Sequence, residues 1–146
     1  MFTQYGGGLA VFKDSYIFQA IIAETFGSFV YIFTFLIQTE KQTQFSNDRA
    51  IWSLIISAAY GTVIAYNSGR IGTSMNPAYS FGVQMTMLMD YGGKYLKYLW
   101  IYLIFPFLGS ILALLFYEFV YKKTQEAVEQ EYQERLSRRE NMLPDK

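Results

Sequence analysis

The sequence predicts an all-α membrane protein, and three observations carry that prediction. Apolar residues make up 52 % of the 146 residues, aromatics 19 % and charged residues 16 %, against about 25 % charged in ordinary soluble domains. The charges are segregated: half of all Asp, Glu, Lys and Arg residues lie between Lys122 and Lys146. The chain before that tail holds three stretches almost free of charge: Ile17 to Gln38, Ala50 to Ser68 and Leu99 to Tyr121. At 1.5 Å per residue each reaches about 30 Å as a helix, the thickness of a bilayer core. Backbone polar groups in hydrocarbon must be satisfied within their own segment, so each stretch reads as a spanning helix.

Residues 1–16 form an N-terminal segment. Gly6-Gly7-Gly8 interrupts it and no basic n-region precedes a compact apolar run, so it does not read as a cleavable signal. Residues 17–121 form the membrane unit. Gly27, Ser28, Gly61, Gly109 and Ser110 are small enough to let helices approach closely inside it. Tyr16, Tyr95, Tyr98, Trp100, Tyr117 and Tyr121 crowd the span ends, where an interfacial belt is expected.

Between the second and third spans, residues 76–89 are apolar after a polar start and too short to cross. Asn76 followed by Pro77 is a helix-start signal, a capping side chain before a proline at the first helical position. A loop carrying Gly69 and Gly72 leads into it. The expectation is a re-entrant half-helix whose N-terminal partial positive charge lies inside the membrane; an interfacial helix lying flat is the alternative. Residues 122–146 form a charged tail, helical to Glu140. Glu131 with Arg135 and Glu134 with Arg138 are favourable i,i+4 pairs. Val128, Tyr132 and Leu136 form a thin apolar stripe, read either as a docking arm for a partner or as incidental residues on a solvated helix.

The chain has no Cys and no His. That removes thiolate and imidazole metal sites, Cys nucleophiles and His bases. Gly6-Gly7-Gly8 lacks the Lys-Ser/Thr of a phosphate loop, and a net charge of zero gives no footprint for nucleic acid. An enzyme is not expected, nor a metal or cofactor.

Ser74-Met75-Asn76-Pro77-Ala78, followed by Ser80-Phe81-Gly82, resembles the second Asn-Pro-Ala box of the aquaporins, the major intrinsic protein family. Ala23-Glu24-Thr25-Phe26-Gly27 is similar to the opening of the family's fourth helix. Pro106-Phe107-Leu108-Gly109 and the segment to Phe119 resemble its sixth. The resemblance covers roughly Ile17 to Lys122 and only the second of two inverted repeats. It implies a half-aquaporin of three spans and one half-helix, with an open groove in place of a closed pore.

The resemblance also assigns roles. Asn76, Pro77 and Ala78 are the box. Glu24 accepts hydrogen bonds from the loop around Thr73 to Met75; a Glu at the headgroups is the alternative. Tyr79 stands where the family places a filter Arg, Ile64 falls at the filter His position of water-selective members, and Thr73 borders the same constriction. A phenol cannot reproduce a guanidinium fork. The filter therefore reads as converted to a contact surface, with a less selective pore as the alternative.

The expected function is a non-conducting, aquaporin-derived accessory subunit of a larger membrane complex. A channel for water or small neutral solutes, formed by pairing with a second half-repeat, is the alternative. The expected partners are the lipid bilayer and other membrane subunits. The mitochondrial inner membrane is the expected location by association alone. By family analogy the 40–49 loop and the C-terminus share one side of the membrane. Lys and Arg near the span ends divide equally between the two sides, so the positive-inside rule assigns no orientation.

Overall fold

A computed structural model describes residues 16–41, 43–68 and 72–140. Nearly all of the N-terminal segment, with Lys13, Gly69, Arg70 and the residues after Glu140, lies outside that set. The elements in order are α1 (Ile17–Thr39), α2 (Arg49–Ser68), α3 (Pro77–Tyr91), a 3₁₀ segment (Gly93–Tyr98), α4 (Leu99–Phe116), a π-helical segment (Tyr117–Lys122) and α5 (Lys123–Glu140). No strand occurs among the described residues. Among the described residues, three helices are long and apolar enough to cross a membrane: Ile17–Thr39, Arg49–Tyr66 and the run from Leu96 to Arg139. The fold is that of an all-α membrane protein.

α1 and α4 form the centre. Ala20 and Ala23 of α1 pack with Tyr98, Ile101 and Tyr102 in the main buried cluster. Small residues set the approach of the two helices. A methyl group added at Gly109 would overlap the Thr25 carbonyl oxygen of α1 and come within 2.9 Å of Ser28 Cβ. A methyl at Gly27 would come within 2.7 Å of Val63 Cγ1 on α2. Gly61, expected to serve the same purpose, faces open space. Its neighbours explain why: among the described residues the only helix against which α2 packs is α1, so most of the α2 surface is exposed.

The loop joining α1 to α2 is clasped from both helices and from the π-helical segment after α4. Gln38 Oε1 accepts from the Phe45 N–H at 2.7 Å, and Trp52 Nε1 donates to the Gln38 carbonyl at 3.0 Å. Thr43 Oγ1 bonds the Ile37 carbonyl at 2.9 Å and the Tyr117 hydroxyl at 3.0 Å. Lys122 Nζ reaches Glu40 at 3.3 Å, with Glu118 beside it at 3.8 Å.

The aromatic belt needs correction. Tyr98 and Tyr117 are buried, and Tyr117 serves the clasp rather than the lipid interface. Phe33 of α1 meets Phe116, Tyr117 and Tyr121 edge-on, with centroids 5.3, 6.5 and 5.4 Å away. Tyr16 and Trp100 remain exposed as a belt requires. The third apolar helix also does not stop at Tyr121. The π-helical turns carry it into α5, and the run of 44 residues from Leu96 to Arg139 spans about 65 Å, so α5 projects well beyond a bilayer core.

Candidate functional site

The site is built where the chain re-enters after α2. Glu24, about two turns into α1, is 1 % exposed. Its Oε1 accepts from Thr73 Oγ1 at 2.6 Å and from the Ser74 N–H at 2.8 Å, and its Oε2 accepts from the Met75 N–H at 3.0 Å. A buried carboxylate is costly unless its oxygens are bonded, and here loop donors 49 to 51 residues away in sequence serve both oxygens. The same bonds hold Met75 at φ 51°, a left-handed conformation that costs a residue with a Cβ about 1–3 kcal/mol. A carboxylate anchored in α1 thus fixes the strained residue that turns the chain into α3.

Asn76 has extended backbone and caps α3. Its Oδ1 accepts from the Ala78 and Tyr79 N–H groups at 3.1 and 3.2 Å. Pro77 takes the first helical position, where a missing N–H costs nothing. The cap occupies the amide oxygen and leaves the Nδ2 donors without a hydrogen bond among the described residues. Asn76 is exposed, Ala78 is exposed and Tyr79 is 47 % exposed. Ile64 on α2 is half-buried and Thr73 is buried against Glu24. The half-helix mouth is therefore an open surface with a neutral amide donor, a phenol and a positive helix end, and no charged side chain among the described residues exposed there.

Behind the mouth lies a polar interior that the sequence reading missed. The Ser74 and Ser80 hydroxyls bond each other at 2.5 Å, and Ser74 Oγ accepts from the Asn76 N–H at 3.2 Å. Ser80 is 0 % exposed and Gln84, one turn on, is 3 % exposed. The signal was present as polar residues four apart on an otherwise apolar half-helix. Ser28 Oγ and Gln84 Oε1 are buried without a hydrogen-bond partner among the described residues.

The sequence-derived docking residues are elsewhere. Val128, Tyr132 and Leu136 lie on α5 and are exposed, far along the chain from the mouth. Arg135 pairs with Glu131 at 2.6 Å and Arg138 with Glu134 at 3.9 Å. No group of three or more candidate metal ligands occurs among the described residues.

Comparison with known proteins places this geometry. The family described as Major intrinsic protein matches residues 3–117. A probable aquaporin PIP2-5 of Arabidopsis thaliana is 31 % identical over 122 residues, covering 82 % of this chain and 42 % of the relative. Aquaporin AqpM of Methanothermobacter thermautotrophicus is 29 % identical over 115 residues, covering 78 % and 45 %. Aquaporin-7 of Botryotinia fuckeliana is 31 % identical over 118 residues, covering 81 % and 23 %. The chain thus spans less than half the length of these relatives. No solved structure matches significantly.

Proposed function

This chain is an integral membrane protein of the major intrinsic protein family, and from that premise we propose that it supplies one wall of a pore for water or small uncharged solutes. A complementary half-repeat, from another chain or another part of the same protein, supplies the other wall. The observation that carries the reading is the Asn76 amide. Its oxygen is consumed by the cap while its two donors remain open at the exposed end of a re-entrant helix. A permeating neutral molecule needs such a donor, and a purely structural surface does not. This reverses the order of the two readings drawn from sequence. An enzymatic role is opposed by membership of a channel family.

Tyr79 adds a condition. Without a guanidinium at that position, repulsion of cations rests on the α3 dipole, roughly half an elementary charge at its N-terminus. The proposed pore is therefore less selective among small neutral solutes than an Arg-lined one.

Stopped-flow light scattering on proteoliposomes tests this. The chain alone should match empty vesicles, because half of a pore is an open groove. Reconstitution with a first-repeat half should give osmotic shrinkage above background, reduced by Asn76→Leu. Background permeability in both preparations refutes the channel reading.

That result would support the second reading, a non-conducting accessory subunit, which the bulk of Tyr79 and Ile64 favours. On this reading other membrane subunits cover the mouth, and Val128, Tyr132 and Leu136 dock against one of them. Native-gel mass after mild extraction separates the two, a large complex against a small multimer. Fractionation tests the mitochondrial inner membrane as its location.

A further inference from the structure

The outer seam between α1 and α4, turned away from Glu24, contains an elongated groove of about 730 Å³. Ile21, Phe26 and Phe29 line it from α1, Leu112 and Phe116 from α4, and Val120 from the π-helical segment that follows. Thr25 is the one lining residue with a polar side chain. Every lining residue belongs to an apolar spanning run, so the groove lies at hydrocarbon depth. Gly109 of α4 is level with Thr25 of α1. The α4 part of the lining therefore begins near the level of Phe29 and continues beyond it, giving a total length of about 20 Å at 1.5 Å per residue.

Lining and length together point to an occupant. The groove is open, apolar along its length and at hydrocarbon depth, and an extended acyl chain matches both that lining and a length of about 20 Å.

The end of the groove supplies a charge. Phe119 and Val120 also line a second recess of about 420 Å³, shared with Lys123, Thr124, Ala127, Val128 and Glu131. Lys122 is engaged by Glu40 and Glu118, and Glu131 by Arg135. Lys123 makes no ion pair among the described residues; its ammonium leans back over the Phe119 ring, 5.8 Å from the centroid. An uncompensated cation thus stands where the hydrocarbon groove meets the membrane surface.

We propose that this groove holds one acyl chain of an anionic glycerophospholipid, with the lipid phosphate at Lys123; the Thr124 hydroxyl is taken up by the Val120 carbonyl at 2.7 Å. The site is separate from the half-helix mouth and does not depend on whether the protein conducts.

The test is lipid analysis of the full chain purified in mild detergent from membranes holding both phosphatidylglycerol and phosphatidylcholine. About one phosphatidylglycerol per chain should survive washing, enriched about fivefold over its bulk share, the effect of one cation near an anionic surface. Lys123→Gln should abolish the enrichment while leaving helix content by circular dichroism unchanged. Leu112→Trp, which fills the groove, should remove the retained lipid of either class. Retained lipid that mirrors the bulk composition overturns the proposal, as does enrichment that survives Lys123→Gln. A groove that crosslinks to a second copy or to the chain's own N-terminal residues, with no lipid retained, overturns it equally.

Discussion

Replacing Glu24 tests the architecture most directly, because one carboxylate accepts three hydrogen bonds from the loop that leads into α3. Glu24→Ala removes the acceptor of three donors: the Thr73 hydroxyl and the Ser74 and Met75 N–H groups. The hydroxyl can rotate to another acceptor, but the two N–H groups cannot. With Glu24 1 % exposed, water does not replace the lost oxygens without opening the packing. Each orphaned donor costs about 1–3 kcal/mol, roughly 2–6 kcal/mol together. The backbone strain at Met75, φ 51°, then stands unopposed, so the loop should release. A total stability of about 5–15 kcal/mol makes that a large fraction, and the midpoint of thermal unfolding in detergent should fall on the order of 10 °C. Glu24→Gln keeps one oxygen, which can serve Thr73 and Ser74, but turns an amide N–H₂ toward the Met75 N–H. It should lose about half as much. Limited proteolysis should show new cleavage near residues 72–76 in the Ala variant first. If wild type, Gln and Ala variants melt together and resist protease equally, the bonds from Glu24 do not hold the loop and the account of the site fails.

The glycines make a graded series. Gly109→Ala sets a methyl against the backbone oxygen of Thr25, which cannot move aside, and should cost about 1–3 kcal/mol or more in helix association. Gly27→Ala meets Val63 and Met75 side chains, which can shift, and should cost less. Gly61→Ala meets nothing within 4 Å and should be neutral or stabilising by up to about 1 kcal/mol; thermal scans in one detergent rank all three. Tyr117→Phe removes the hydroxyl from Thr43, which keeps its bond to the Ile37 carbonyl, so a loss of about 1 kcal/mol is expected, visible as faster proteolysis of the 40–48 loop. Truncation after Lys123 should leave membrane insertion intact, since α1 to α4 remain. On the accessory reading it should lower the fraction recovered in a large complex, with Tyr132→Asp reproducing much of that loss and removal of the exposed Glu131–Arg135 pair doing little.

The sequence showed the spans, the half-helix and the helical tail because hydrophobic length and the Asn76-Pro77 start are local signals. It also showed Glu24 as exceptional, since an ionisable residue inside a span needs partners. What it could not show depends on rotation and distance. Tyr98 and Tyr117 carry the same side chain as belt tyrosines, and only the packing of α4 on α1 turns them inward. Gly27, Gly61 and Gly109 read alike, yet two sit at crossings and one faces nothing, because α2 has a single helical neighbour among the described residues. Ser80 and Gln84 were hidden for a related reason. In a membrane an apolar residue can face lipid or core, so hydrophobic periodicity no longer says which side of a helix is buried, and polar residues inside become visible only once the bundle is assembled.

That difference between inside and outside separates the two exposed faces of the molecule. The seam of α1 and α4 presents hydrocarbon from Ile21 to Val120, interrupted by one threonine, and ends at a cation. Lipid satisfies such a surface completely. The half-helix mouth presents the Asn76 amide and the Tyr79 phenol beside an N-terminal helix dipole, and acyl chains offer none of these groups an acceptor. A variant that moves chemistry from one face to the other should follow this division. Asn76→Leu loses the cap bonds to Ala78 and Tyr79, costing about 1 kcal/mol, but makes the mouth more compatible with lipid. Thr25→Asn leaves the mouth intact and places an amide in the hydrocarbon seam. If the faces differ as described, Thr25→Asn should lower the recovery of bound lipid without altering pairing with a second half-repeat, and Asn76→Leu should do the reverse. Both variants affecting lipid and pairing alike would mean that the two faces are one continuous surface, and the separate roles assigned to them would not stand.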